Sequence, residues 1–134
     1  MARIIDIEGV GEKYAEKLKA VGATTVENLL KMGASAKGRK ELVEKTGIGE
    51  HLILKWVNYA DLYRVKGVST QYSQLLESAG VDSCTELAHR VPEHLVKKMA
   101  EVNAEKKLVR RIPVLSQVEK WVEQAKALPK LVTH

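Results

Sequence analysis

The residues Gly9, Val10 and Gly11 constrain the fold most, because they form a glycine-flanked turn that opens directly into a helical pattern. Glycine lacks a Cβ, so such a turn can use backbone conformations that other residues resist. Val10 can then point into a core. The first N–H groups of the following helix have no partner within that helix, and the helix dipole favours an anion there. The turn therefore predicts a site of phosphate size.

Helical periodicity continues from this turn, with Tyr14, Leu18 and Val21 on one face and charged residues on the others. Gly22 is placed to end the helix, and the residues 24–27 form a capping box that begins a second one. No strand pattern competes in the chain. The expected unit is therefore a helix, a hairpin turn and a helix.

A third helix is expected from Ser35 to Thr46, and the residues 47–49 then repeat the turn as Gly-Ile-Gly. A fourth, longer helix is expected from Leu52 to Tyr63, with Trp56 on its apolar face.

An internal repeat relates the two halves of the chain. When residues 67–88 are placed on residues 9–30, six of the 22 positions are identical. The matches fall at turn, core and stop positions: Gly9/Gly67, Val10/Val68, Tyr14/Tyr72, Leu18/Leu76, Gly22/Gly80 and Leu29/Leu87. We therefore expect a duplication with two pseudo-symmetric halves, residues 1–65 and 66–134.

The second half departs from the first. A weaker match, at a shift of 54, places Glu101-Val102-Asn103 on the second glycine turn. Pro113 is expected to break the fourth helix of this half, because proline lacks the N–H donor and its ring clashes with the preceding turn. The residues 116–119 read as a capping box for a last helix that Pro129 closes.

These patterns predict an all-α protein with about eight or nine short helices. Nine residues are expected to be largely buried: Tyr14, Leu18, Leu29, Trp56, Tyr72, Leu76, Leu87, Leu108 and Trp121.

Composition limits the classes of protein. With 134 residues, of which 45% are hydrophobic, the chain can bury one sizeable core or two small ones. A single cysteine excludes an internal disulfide framework and a cluster of metal-binding thiols. We see no membrane-length apolar run and no secretory leader, so we expect a cytoplasmic protein.

The net charge of +5 permits contact with nucleic acid, and its distribution is uneven. From residue 94 to the end, nine Lys and Arg face four Asp and Glu. The densest part comprises Lys97, Lys98, Lys106, Lys107, Arg110 and Arg111. Spacings of three to four residues place the last of these on one helix, where they can follow a phosphate backbone. The alternative is a solvated helix face.

The first turn, with Ala15 and Leu18 at their spacings, resembles the helix-hairpin-helix motif of many DNA-handling proteins. From Ile7 to about Leu128 the chain also resembles a bacterial family of tandem helix-hairpin-helix domains, catalogued as domain of unknown function 4332. The most telling stretches are residues 39–42, 52–57 and 102–111.

The resemblance implies that turn amides and a basic residue of the following helix contact phosphate without reading base sequence. The implied residues are Gly9, Gly11 and Lys13 in the first turn, and Gly47, Gly49 and Lys55 in the second. The third turn departs from the motif, because Ser69 replaces its second glycine and Gln71 replaces the lysine. We add Lys106, Lys107, Arg110 and Arg111 as an electrostatic contribution.

Catalysis is not expected, since no nucleophile with an adjacent base, close carboxylate pair or phosphate-binding loop of the Walker type is visible. We expect Cys84 to be a core residue, and His89 and His94 lack further ligands for a metal. No cofactor is expected. Two functions remain: a non-catalytic module that binds DNA or structured RNA, and a protein-interaction scaffold that kept the fold without the phosphate site.

Overall fold

The computed structural model describes residues 3–133, and the regular structure within them is helical throughout. A 3-10 turn at Ile4–Asp6 precedes eight α-helices. They are α1 Gly11–Ala20, α2 Val26–Gly33, α3 Ala36–Thr46, α4 Glu50–Leu62, α5 Thr70–Ser78, α6 Cys84–Ala88, α7 Pro92–Lys106 and α8 Leu115–Ala127. The predicted all-α fold of about eight helices is confirmed. None of these helices is long and apolar enough to cross a membrane.

The chain divides into two compact units. The first comprises the described residues of Met1–Asp61 and Leu131–His134, and the second is Leu62–Lys130. The division into 1–65 and 66–134 stays a prediction. Residues 131–133, which that prediction assigns to the second half, belong to the first unit.

Four helices begin with a side-chain cap of the expected kind. The hydroxyl oxygens of Thr25 and Ser35 accept hydrogen bonds from backbone N–H groups three residues on, at 3.1 and 3.0 Å. Ser69 and Ser83 do the same for α5 and α6. These short polar side chains satisfy N–H groups that have no partner in the helix, so they fix where each helix begins.

Most of the predicted core residues are buried. Six of the nine have at most 1% of their surface exposed: Leu18, Leu29, Trp56, Leu76, Leu87 and Trp121. Tyr14, Tyr72 and Leu108 are half-buried. In the second unit the core cluster forms around Trp121 where α6 and α7 pack against α8.

Each unit contains a tyrosine packed on a buried tryptophan. The ring centroids of Tyr14 and Trp56 are 5.2 Å apart, and those of Tyr72 and Trp121 are 5.3 Å apart. The planes meet at 57° and 58°, which is a tilted geometry that aromatic pairs favour.

Each indole also lies against a glycine of a hairpin turn. Gly9 and Gly67 have φ values of +88° and +95°. A Cβ on Gly9 would lie 3.5 Å from Nε1 of Trp56, and one on Gly67 would lie 2.9 Å from Nε1 of Trp121. The second distance is too short for a real Cβ, so Gly67 is required both by its backbone conformation and by the ring beside it.

A buried arginine organises the end of α2 in the first unit. The guanidinium of Arg39 donates hydrogen bonds to the carbonyl oxygens of Gly33 and Ala34, at 2.9 and 3.1 Å, and to that of Thr133. The N–H of Thr133 in turn donates to the carbonyl of Ala34 at 2.7 Å. Cations are favourable near a helix C-terminus, where the last carbonyls lack partners. Arg39 thus binds residues near the C-terminus to the first unit.

Three expectations for the second half are wrong. Glu101, Val102 and Asn103 lie inside α7 and form no hairpin turn. The last helix begins at Leu115 after Val114, which makes no side-chain cap, so Ser116 lies within α8 instead of capping it. Helix α7 ends at Lys106, seven residues before Pro113, so the proline does not end it.

The contact between Gly67 and Trp121 predicts an unequal pair of glycine substitutions. Gly80 has nearly the same φ, +94°, but its nearest neighbour is the flexible end of Arg90 at 3.4 Å. Gly80→Ala should destabilise the protein by about 1–2 kcal/mol through backbone strain alone. Gly67→Ala should cost about 1–3 kcal/mol more, because the indole must also move.

Urea unfolding of both variants, followed by circular dichroism, measures the difference. Equal losses of stability would contradict the tight contact between the Gly67 turn and the indole.

Candidate nucleic-acid interface

The first turn exposes the start of α1 without a side-chain cap. Gly9 and Gly11 both have positive φ, at +88° and +62°, and Val10 between them is buried. Val10 is the N-cap residue of α1 and has no oxygen with which to cap the first-turn amides. Gly11 and Lys13 are exposed. The start of α1 therefore has no side-chain cap and is exposed at Gly11 and Lys13, as the predicted anion site needs, and the site itself stays a prediction.

Carboxylates oppose this site. Glu8 and Glu12 flank the turn and are exposed. The side chain of Arg3, and then its backbone N–H, donate hydrogen bonds to Asp6, and these lower the pKa of the Asp6 carboxyl below its ordinary value. Asp6 therefore stays ionised just before the turn. These negative charges reduce the attraction for a phosphate group at this end of the first unit.

The second turn combines a helix end with a helix start. Gly47 is the C-cap of α3 in the left-handed conformation, with φ +75°, and its N–H donates to the carbonyl of Val43 at 2.8 Å. Ile48 is buried, and the φ of Gly49 is not positive. Only Gly47 is thus required by the backbone. Lys55 is exposed, with Nζ 6.0 Å from the ring centroid of Tyr59 on the same helix.

The predicted basic helix is wrong. Lys106 is the last residue of α7, and Lys107 follows in the left-handed conformation with φ +51°. The residues 108–114 are not helical. The Nζ of Lys106 lies 3.5 Å from the hydroxyl of Ser78, at the C-terminal end of α5. The four predicted basic residues therefore do not form one face of a helix.

Arg110 and Arg111 lie instead beside the third hairpin turn. They line a cleft of about 280 Å³ together with Ser69, Gln71 and Tyr72 at the start of α5. Both arginines are exposed. The structure thus places two guanidinium groups next to the third turn, in which Ser69 replaces the second glycine of the pattern.

Two side chains hold the segment of Arg110 and Arg111 in place, and the sequence analysis assigned this role to neither of them. Asn103 on α7 donates from Nδ2 to the carbonyl of Val109 and accepts from the N–H of Val109, both at 3.0 Å. The hydroxyl of Tyr72 donates to the carbonyl of Arg111 at 3.3 Å. These bonds fix the backbone on either side of Arg110. Their partners are backbone groups six and 39 residues away, so no local pattern predicts them.

The Asn103 side chain gives a direct test of this arrangement. Asn103→Leu removes both bonds and leaves the N–H and carbonyl of Val109, which is a buried residue, without these partners. We expect a loss of about 1–3 kcal/mol in stability and faster hydrogen exchange at the amide of Val109. Nuclear magnetic resonance measures the exchange.

Gln74→Leu is the matched control, since Gln74 is a half-buried amide side chain on α5 of the same unit. Unchanged exchange at Val109 in the Asn103 variant would mean that the side chain does not hold the segment.

The remaining candidates for chemistry are the cysteine and the side chains that can bind metal ions. Cys84 is buried and forms no disulfide, and it belongs to the core cluster of the second unit. Within residues 3–133 no group of three or more His, Cys, Asp or Glu side chains is arranged to hold a metal ion.

Comparison with known proteins connects the chain to a family. The profile of a protein family described as "Domain of unknown function (DUF4332)" matches residues 8–128. No curated protein and no solved structure matches the chain.

Proposed function

Because the chain belongs to the DUF4332 family, whose description assigns no activity, we propose from its own residues that it is a non-catalytic nucleic-acid-binding module. It contacts the phosphate backbone of duplex or branched DNA, or of structured RNA, without reading base sequence. We also propose that the turns are helix-hairpin-helix motifs, that the family is bacterial and that the protein is cytoplasmic.

The observation that carries the proposal is the pair Arg110 and Arg111 beside the third turn. A guanidinium group offers five donors in a planar fork, which suits the oxygens of a phosphate. The two side chains are exposed and share a cleft of about 280 Å³. Their backbone is held by Asn103 and Tyr72. A segment fixed in this way loses less conformational entropy when it binds than a freely moving one.

The first unit contributes a different kind of contact. Its first turn, Gly9 and Gly11 with Lys13, offers backbone N–H groups with no side-chain cap. The second proposed contact comprises Gly47, Gly49 and Lys55. Positive charge is added by Lys106 and Lys107, which precede the arginine pair in the sequence. Backbone and charge contacts of this kind position a protein on nucleic acid and carry no base specificity.

The arginine pair can be tested with a variant of equal charge as control. Arg110→Gln with Arg111→Gln should weaken binding to duplex, junction and RNA alike, because the interaction is with the backbone. The slope of log affinity against log salt should fall by about two, one for each phosphate that an arginine no longer neutralises. Fluorescence anisotropy at several salt concentrations gives both quantities.

The control is Lys120→Gln with Lys126→Gln. Both lysines are exposed on α8 of the same unit, so the change in net charge is identical. An equal loss of affinity in the control would mean that overall charge, and not the cleft, attracts nucleic acid.

If binding of the unmodified protein to all three nucleic acids is absent at low salt, the second function gains support. The carboxylates around the first turn favour that alternative, a protein-interaction scaffold that retains the fold without phosphate binding.

A further inference from the structure

A second basic cleft lies elsewhere in the second unit and shares no residue with the arginine cleft. Its volume is about 450 Å³, within the usual range for small-molecule sites. Four basic or titratable side chains line it: His89, Arg90, His94 and Lys98. The exposed Val91 adds apolar surface, and the buried Ala79 and Leu95 complete the lining. Among the described residues, no carboxylate lines the cleft.

The position of the His89 ring is set by the backbone of α6. Nδ1 of His89 lies 2.6 Å from the carbonyl oxygen of Thr85. A carbonyl oxygen can only accept, so Nδ1 carries the proton. The other nitrogen, Nε2, is then an acceptor when the ring is neutral and a donor when it is protonated. Protonation therefore adds both a charge and a donor for an anion.

The guanidinium of Arg90 is also held in place. Its Nη2 donates to the carbonyl of Gly80 at 2.9 Å and to the carboxylate of Glu86 at 2.8 Å. Both of these bonds use one nitrogen, so the donors on Nη1 and Nε remain available for a ligand.

Helix α7 supplies the other two side chains. His94 and Lys98 are four residues apart, so they share one face of α7 near its start. The helix begins with Pro92 after Val91, and Val91 makes no side-chain cap. The dipole of this 15-residue helix favours negative charge at that end.

The carboxylates on the segments that line the cleft do not cancel its positive charge. Glu86 on α6 is paired with Arg90. Glu77 on α5, Asp82 in the following loop, and Glu93 and Glu101 on α7 are close in sequence to lining residues but do not line the cleft.

We propose that this cleft binds the phosphate group of a phosphate monoester. Lys98 supplies positive charge, the remaining donors of Arg90 contact the phosphate oxygens, and the imidazoles of His89 and His94 add charge and donors when they are protonated. The exposed side chain of Val91 accepts the ester group. The monoester is either a free small molecule or the terminal phosphate of a nucleic acid.

Sulfate is the probe, because it carries two negative charges, as a phosphate monoester does above about pH 6. Titration of the full chain with sulfate, followed by nuclear magnetic resonance, measures the affinity. His89→Gln with His94→Gln should weaken it severalfold, because both side chains line the cleft. His51→Gln, which changes an exposed histidine of the first unit, should leave it unchanged.

A second pair of variants separates a defined site from general charge. Lys98→Gln should weaken sulfate binding severalfold, whereas Lys97→Gln should not, since the neighbouring Lys97 is exposed on α7 but does not line the cleft. Arg110→Gln with Arg111→Gln should leave sulfate binding unchanged, so this site can fail without the nucleic-acid proposal failing. Equal effects of the two lysine variants, or unchanged sulfate affinity without both histidines, would overturn the proposal.

The source of the phosphate is decided by competition. Ribose 5-phosphate that displaces sulfate from the cleft indicates a free monoester. The second competitor is a single-stranded oligonucleotide with a 5′-phosphate. If it displaces sulfate better than the same oligonucleotide with a 5′-hydroxyl, the phosphate is that of a nucleic-acid end. If neither phosphate compound displaces sulfate, the cleft does not bind monoesters.

Discussion

The packing of an indole beneath a glycine turn is the constraint on which both units depend. Each tryptophan is buried, contacts a tyrosine of the helix that follows the turn, and presents Nε1 to the glycine. The N–H of Trp56 has no hydrogen-bond partner, so in the first unit this is a contact of shape and apolar area, not of polar recognition. In the second unit the position of the turn follows from it, because the turn can approach the Trp121 ring this closely only where no Cβ intervenes. The hairpin geometry and the aromatic core are therefore one feature.

Local chemistry made much of this fold predictable. The cap at Ser35 and the core positions Leu18 and Leu76 follow from hydrogen-bonding and periodicity rules that act within a few residues. The cap of α2 is Thr25, one residue after the start of the predicted capping box. The errors arose where the deciding interaction is not local. Helix α7 ends at Lys106, and Lys107 follows it in the left-handed conformation that Gly47 takes in the first unit. A lysine gives no signal of this conformation in the sequence. Asn103 stabilises the next segment through a backbone partner that only the folded chain reveals.

The two units offer anions different chemistry at corresponding places. In the first, helix α1 starts without a side-chain cap, so no side chain accepts from its first N–H groups, but carboxylates lie on both sides of the turn. In the second, the hydroxyl of Ser69 accepts from the N–H of Tyr72 and satisfies one such amide, while two guanidinium groups lie alongside. The glycine pattern predicts the first kind of site and gives no sign of the second. Side-chain cations can replace open amides only if a folded segment brings them to the turn.

The hydrogen bonds of Arg39 and Thr133 also determine how the molecule bears mechanical load. Residue 3 and residue 133 both belong to the first unit, and the second unit is inserted in the chain between them. Tension applied between these two residues first meets the bonds that join Thr133 to Ala34 and Arg39. The second unit feels no force until those bonds have broken, so it is mechanically shielded. Under such tension the first unit yields before the helices that hold both basic clefts.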